Sequence, residues 1–290
     1  MTPAFTPDIA GWGRVTLAEL NARAPLLDRL ENKYVVSAAA FAEAMGAMRD
    51  HFDVLAIGGE TTFTYETIYY DTDNLLAYRQ HAQGKRRRFK IRCRRYVDSD
   101  LYFFEVKLKG SRGRTVKHRM LYDDSRHGQD TLDEAATAFV RRCVEDTYGE
   151  EFAEHLRAQL RMRYRRLTLV GKGCPERLTV DFDLEFVGPD GARAFAPAET
   201  LVVEVKSQNG RGIGDAVLRA AGARGGTCSK YCVGLNLVRP GMRYNVFKQL
   251  LRTHFGWKPQ AEGMVAAGGN GGFLTVASCS SPLAPSGSQP

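Results

Sequence analysis

Lysine and arginine recur at every second position in several stretches of this sequence, and side chains at that spacing can act together. In Phe89-Lys90-Ile91-Arg92-Cys93-Arg94, the cations Lys90, Arg92 and Arg94 alternate with Phe89, Ile91 and Cys93. From Tyr102 to Lys109, Glu105, Lys107 and Lys109 oppose Tyr102, Phe104, Val106 and Leu108. From Arg177 to Phe186, Arg177, Thr179, Asp181, Asp183 and Glu185 oppose Leu178, Val180, Phe182, Leu184 and Phe186. Glu204 and Lys206 oppose Leu201, Val203 and Val205, while Lys117 with Arg119 and Glu31 with Lys33 repeat the same step. Successive strand residues point to opposite faces, so each stretch is expected to be a strand with one apolar and one charged face.

The chemistry such faces offer is anion binding. Arginine gives a planar fork suited to phosphate oxygens, and lysine gives a compact point charge. The carboxylates Glu31, Glu105, Asp181, Asp183 and Glu204 lie among these cations. As structural groups they would balance charge through salt bridges. As functional groups, one or two would hold Mg²⁺ or Mn²⁺, hard ions that take oxygen ligands and bridge phosphates. Glu204 is the first candidate for that role.

The architecture follows from the cost of these faces. Like charges two residues apart on a strand lie about 6.6 Å from each other. At an effective dielectric near 20, each such pair repels by roughly 2.5 kcal/mol. For one strand, a solvated outer face is the simpler reading. For many strands at once, the apolar faces need cover, which helices can supply from outside. The charged faces then converge on a wet interior, as in a barrel with a polar lumen. A multivalent anion would make such a lumen tolerable.

Helices are expected at four places. Ser37 caps one running through Phe41, Met45 and Met48 to about His51. Thr131 caps a second through Leu132, Ala135, Ala136, Phe139 and Val140. A third is placed from Gly149 to Arg161, and a fourth from Tyr244 to Phe255. The basic cluster Lys85-Arg86-Arg87-Arg88 reads as a turn leading into a strand. Gly210-Arg211-Gly212-Ile213-Gly214 and Gly225-Gly226-Thr227-Cys228-Ser229-Lys230 fit neither the dinucleotide nor the P-loop pattern and are taken as flexible connections.

Composition sets the outer bounds. The chain has 290 residues, 43% of them hydrophobic, enough for one substantial core. Lysine and arginine total 41 against 33 acids, a formal charge of +8, which favours anionic partners. No apolar run is long enough to span a bilayer, and the first residues lack a signal-peptide pattern, so a cytoplasmic location is expected. The six cysteines form neither a disulfide framework nor a zinc motif. From about Met264 the sequence is rich in Gly, Ser, Ala and Pro, a composition that predicts disorder. The first dozen residues are expected to be loose as well.

An ordered series of motifs resembles a known family. Arg29-Leu30-Glu31-Asn32-Lys33-Tyr34 is similar to the opening strand of the vacuolar transporter chaperone (VTC) domain, the polyphosphate-polymerase branch of the triphosphate tunnel metalloenzymes. Tyr69-Tyr70-Asp71-Thr72, Lys90-Ile91-Arg92-Cys93-Arg94, Phe104-Glu105-Val106-Lys107 and Lys117 follow in order. Tyr164-Arg165-Arg166, Arg177-Leu178-Thr179-Val180-Asp181, Leu201-Val202-Val203-Glu204-Val205-Lys206 and Ser229-Lys230-Tyr231 complete the series. The sister CYTH triphosphatases and adenylyl cyclases open with Glu-x-Glu-x-Lys; here Arg29 takes the first position, which favours the VTC branch.

The resemblance implies an α+β fold, mainly antiparallel β: an eight-stranded tunnel barrel with a charged lumen and helices packed outside. The resemblance covers roughly residues 27 to 240; with the composition of the ends, the chain is expected to divide into an N-terminal extension over 1–26, the tunnel domain over 27–258 and a disordered tail over 259–290. Carried over by motif, Lys33, Arg92, Arg94, Lys107, Lys117, Arg166, Arg177, Lys206 and Lys230 would grip phosphates. Of these, Arg92, Arg94, Lys107 and Lys230, together with Ser229, would bind the nucleotide, and Glu204 would hold Mn²⁺ or Mg²⁺. The implied reaction is metal-dependent transfer of the terminal phosphate of ATP to a polyphosphate chain. Two alternatives stand beside it: a tri- or polyphosphate hydrolase of the same fold, and a noncatalytic polyanion-binding module. ATP and polyphosphate or triphosphate are the expected partners, with any membrane link supplied by a separate protein. Nucleic acid is not expected, because bases need stacking aromatics or groove-reading elements, and several aromatics, including Tyr102, Phe104 and Phe182, fall on the apolar faces.

Overall fold

The computed structural model describes residues 5–25, 30–110, 115–123, 126–242 and 245–258. Arg29, Tyr244 and the tail over 259–290 lie outside the described residues.

Among the described residues eleven strands form one sheet: β1 (Arg14–Val15), β2 (Leu30–Ser37), β3 (Phe52–Leu55), β4 (Thr62–Asp71), β5 (Phe89–Tyr96), β6 (Leu101–Lys109), β7 (Thr115–Leu121), β8 (Arg157–Gly171), β9 (Arg177–Val187), β10 (Arg193–Phe195) and β11 (Thr200–Ser207). Among the described residues seven α-helices accompany them: α1 (Leu17–Arg23), α2 (Ala38–Met48), α3 (Leu76–Ala82), α4 (Glu134–Tyr148), α5 (Ile213–Ala220), α6 (Lys230–Val238) and α7 (Lys248–His254).

The main path runs β2-β11-β9-β8-β4-β5-β6-β7 with antiparallel neighbours throughout. These eight strands are the expected tunnel barrel, but the sheet is not closed: among the described residues no pairing joins β7 to β2. β7 is a charged, largely exposed edge carrying Lys117 and Arg119, and such edges resist further pairing. The sheet is nevertheless curled. Lys107 on β6 feels the charges of Glu204 and Lys206 on β11, a strand far from β6 in sheet order.

Alternation drives this curl as the sequence predicts. The outer faces of β8, β9 and β11 bury Leu167, Leu169, Leu178, Val180, Phe182, Leu201, Val203 and Val205 together with Phe41, Met45 and Met48 of α2 and Leu218 of α5. The outer faces of β5 and β6 bury Ile91, Cys93, Phe104, Val106 and Leu108 with Val140 and Val144 of α4. Phe5 and Trp12 join the core too, Phe5 meeting Phe41 and Phe182 edge-on, so the segment from Phe5 is packed and not loose.

Four local expectations change. Ser37 does cap α2, accepting from the Ala40 N–H, but α4 is capped by Asp133 and not Thr131, which instead forms a bridge to Arg157. The helix placed over Gly149 to Arg161 does not form: Gly149, at φ 66°, ends α4 in the left-handed region, and Arg157 onward is β8. The fourth helix is shorter, a 3₁₀ turn at Asn245–Phe247 followed by α7. The two glycine-rich segments are helix starts. Gly212 caps α5, where Glu176 accepts from the Ile213 and Gly214 N–H groups, and Ser229 caps α6.

A bulge matters most for the site. The β8–β9 register shifts between Arg163 and Arg165, and Asp183 opposite takes φ 52°. A bulge adds one residue and reverses the faces beyond it. Leu184 and Phe186 therefore leave the outer layer of Phe182 and turn inward, where α6 packs on them. The Gly234 backbone sits so close that an added Cβ would lie 2.5 Å from Phe186 and 2.6 Å from Leu160.

Candidate functional site

The inner face of the curled sheet gathers side chains from every strand of the main path. Lys33 comes from β2, Glu204 and Lys206 from β11, Asp181 from β9, and Arg166 with Tyr164 from β8. Tyr65 and Tyr69 come from β4, Lys90, Arg92 and Arg94 from β5, Glu105 and Lys107 from β6, and Lys117 from β7. The register sets these neighbours: Lys90 lies opposite Lys107, Arg92 opposite Glu105, Lys107 opposite Lys117, and Glu204 opposite Lys33. The N-terminus of α6 brings Ser229 and Lys230 to the same space.

Three carboxylates each hold two cations. Glu105, fully buried, meets Arg92 at 2.5 Å and also Lys117. Asp181 takes two hydrogen bonds from Arg166, at 2.5 and 2.8 Å, and meets the Lys230 ammonium at 2.6 Å. Glu204 pairs with Lys206 and lies 3.5 Å from Lys33, which also pairs with Glu31. Buried pairs of this geometry keep their charge because each partner offsets the desolvation of the other. Burial pushes Asp181 up, but Arg166 and Lys230 outweigh it and bring it down to about 2. Burial likewise opposes ionisation of Glu105 and Glu204. Arg92, Arg94 and Lys117 hold Glu105 below its usual range, and Lys206, Lys33, Lys107 and Lys230 hold Glu204 well below it.

Among the described residues, Lys90, Arg94 and Lys107 form no ion pair with a carboxylate. Among the described residues the Lys107 ammonium makes no hydrogen bond or ion pair. Arg92 beside it, and then burial, hold Lys107 well below the usual lysine value. Lys90 donates to Ser229 Oγ at 3.0 Å and is lowered chiefly by burial. Among the described residues the Arg94 guanidinium donates to Thr67 Oγ1 at 3.5 Å and lies over the Tyr65 ring. The carboxylates present thus leave the lumen with a surplus of positive charge concentrated at Lys90, Arg94 and Lys107. A buried surplus of this kind is costly unless an anion enters.

Lys33, Arg92, Arg94, Lys107, Lys117, Arg166, Lys206, Ser229 and Lys230 are therefore brought together. Arg177 is placed differently. Its guanidinium donates to the Leu20 and Ala24 carbonyls and to Asn21 Oδ1 at the C-terminus of α1, where arginine satisfies the orphan carbonyls of a helix end. Sequence reasoning missed Lys90 as a site residue, although its two-residue step with Arg92 was visible. It also missed the inward aromatics. The phenol of Tyr69 is pushed up by burial but held below its ordinary value by Arg92, Arg94 and Lys230, and the Tyr231 ring of α6 lies 5.1 Å from it. Asp71 of the Tyr-Tyr-Asp-Thr motif is structural: its carboxylate accepts from the Ala77 and Tyr78 N–H groups of α3 and from the Tyr231 hydroxyl, tying α3 to α6.

Among the described residues no group of three or more His, Cys, Asp or Glu side chains is placed to hold a metal ion. Glu31 and Glu204 do converge on one ammonium, that of Lys33. Two carboxylates of this kind fit a hard divalent ion whose remaining ligands are phosphate oxygens, the usual manner of Mg²⁺. No helix among the described residues is long and apolar enough to cross a membrane.

The sequence model of the VTC domain matches residues 28–239. No curated protein matches the chain. Among solved structures, an adenylate cyclase candidate from Bacillus halodurans is 12% identical, with 70% of this chain and 94% of that chain covered and a TM-score of 0.46. An adenylyl cyclase candidate from Hippeastrum, described as having a dominant triphosphatase activity, is 15% identical over 71% of this chain and 94% of its own, with a TM-score of 0.42.

Proposed function

The chain belongs to the VTC domain family, and from that premise we propose that it transfers the terminal phosphate of ATP to the end of a polyphosphate chain held in its basic lumen. The observation that carries this reading is the Lys107 ammonium, half-buried beside Arg92, Lys206 and Lys90 with no ion-pair partner among the described residues. A phosphate chain supplies the missing charge repeatedly along its length, which a single carboxylate cannot do.

Catalysis then consists of positioning and charge stabilisation, as in phosphoryl transfer generally. Lys33, Lys90, Lys107, Lys117, Lys206 and Lys230 offer point charges to the phosphates, Arg92, Arg94 and Arg166 offer forked contacts, and Ser229 adds a hydrogen bond. Asp181 and Glu105 hold Arg166, Lys230, Arg92 and Lys117 in place, which reduces the reorganisation needed when charge moves. Arg177 anchors α1 against the rim. The acceptor is a terminal phosphate oxygen, already anionic near neutral pH, so no general base is required. The half-buried His81 is pushed by desolvation, and then by Lys90, Arg88 and Lys33, down to about 3 and stays neutral. Glu204, with Glu31, would hold Mn²⁺ or Mg²⁺, which would neutralise phosphate charge and act as a Lewis acid.

Purified protein given ATP and Mn²⁺ is expected to make a polymer that resists nuclease and is degraded by an exopolyphosphatase. Release of phosphate without polymer would replace this reading with the hydrolase. Binding without ATP turnover would replace it with a noncatalytic module.

A further inference from the structure

The cationic lumen runs into a series of aromatic rings. Tyr164 and Tyr65 are stacked, with centroids 5.4 Å apart and 12° between their planes. Tyr96 follows at 4.9 Å from Tyr65, and Phe103 meets Tyr96 edge-on at 5.8 Å. The series crosses β8, β4, β5 and β6 on the lumen side, because Tyr65 lies opposite both Tyr164 and Tyr96. Tyr96 and Phe103 also keep the two-residue step with Arg94 and Glu105. Guanidinium groups interleave with the rings. Arg166 lies 4.9 Å from Tyr65 and 5.4 Å from Tyr164, and Arg119 lies 4.8 Å from Phe103.

Burial falls along the series. Tyr164 and Tyr65 are buried, Tyr96 and Phe103 are half-buried, and beyond them Leu101 is 48% and Leu121 72% exposed. These leucines stand directly opposite Tyr96 and Phe103 and share their face. An inorganic phosphate chain has nothing to bury on this apolar rim. A ligand matched to both parts carries a polyanionic end and a planar end. Phe103 and Lys107 are four residues apart on β6, about 13 Å along the strand, a reach that an extended ribose triphosphate covers.

We propose that Tyr96, Phe103, Leu101 and Leu121 seat the base of a nucleoside triphosphate whose phosphates run down the lumen toward Lys107 and Lys90. The inference rests on reading the lumen as a triphosphate site. Stacking uses the face of a base and not its hydrogen-bonding edges, so the seat accepts different bases.

The test is calorimetric titration of the full chain with ATP, GTP and inorganic tripolyphosphate, in the wild type and in Phe103→Ala. The variant is expected to bind both nucleotides about tenfold more weakly, the lower part of the range for loss of one stacking ring, while tripolyphosphate binding is unchanged. Phe103→Leu keeps the apolar volume but loses the ring face and is expected to show the same split, so the test survives if the alanine variant does not fold. Equal weakening of nucleotides and tripolyphosphate, or no weakening of nucleotides, overturns the seat and leaves the phosphate site standing. A wild type that binds tripolyphosphate but no nucleotide does the same. A wild type that binds neither overturns the phosphate site and the seat with it.

Discussion

Lys90 and Lys107 face each other across the β5–β6 ladder, and among the described residues neither ammonium has a carboxylate partner. A protein selected for stability alone would not keep such a pair. Replacing Lys107 by Met removes a charge that Arg92, Lys90 and Lys206 repel, and leaves a side chain of similar length. In the absence of phosphate, Lys107→Met is expected to be more stable than the wild type by about 1 kcal/mol or more, the part of a like-charge repulsion of roughly 2.5 kcal/mol at an effective dielectric of 20 that solvent screening leaves at a half-buried site. Urea unfolding in phosphate-free buffer measures this, and a destabilised variant would contradict the account.

Asp181 gives a prediction with a defined pH window. Its folded value lies near 2, below its ordinary 3.8. A depressed carboxylate contributes stability that is fully present above the unfolded value and is lost as pH falls through the folded one. Stability is therefore expected to fall by about 2 kcal/mol between roughly pH 4 and pH 2 from this group alone, with Glu105 and Glu204 acting in the same direction. Asp181→Asn should cost about 3 kcal/mol or more at neutral pH, since it strands Arg166 and Lys230. It should also flatten part of the acid limb. An unchanged acid limb in the variant would count against the assignment.

Much of this site was legible because β5, β6 and β11 alternate cleanly: the outer positions are apolar and the inner ones charged. β8 was harder to read. Phe152, Leu156 and Leu160 fall four apart and imitate a helix face, whereas all three are buried around an extended segment. The bulge at Asp183 has no local signal, because it arises from register against β8. β4 carries tyrosines on both faces, so the inward Tyr65 and Tyr69 could not be told from the outward Tyr70 by pattern. Arg177 keeps the predicted step along β9, yet only the tertiary position of α1 supplies the carbonyls it holds.

Glu204 separates binding from chemistry. Glu204→Gln keeps the shape of the side chain and removes the charge that would hold Mn²⁺ or Mg²⁺. The variant is expected to lose ATP turnover by at least about 100-fold, on the scale of losing one preorganised electrostatic group. It should still bind tripolyphosphate without metal. Turnover assays beside metal-free titrations would show this, and full activity would refute the metal role.

The packing of α6 on the inner face can be probed without touching a charge. Gly234→Ala would place a Cβ within 2.6 Å of Leu160 and Phe186. Overpacking of this kind costs about 1–3 kcal/mol. Since α6 carries Ser229 and Lys230, phosphate affinity should fall along with stability. A variant as stable as the wild type would mean that α6 is not held against Phe186 as described.

The most direct test of the central claim is a calorimetric titration of the wild type with inorganic tripolyphosphate, beside the double variant Lys90→Gln with Lys107→Met. The account predicts saturable binding of one tripolyphosphate per chain that weakens as salt is raised and is lost in the double variant. Absence of saturable binding in the wild type, or equal affinity in the double variant, would contradict it.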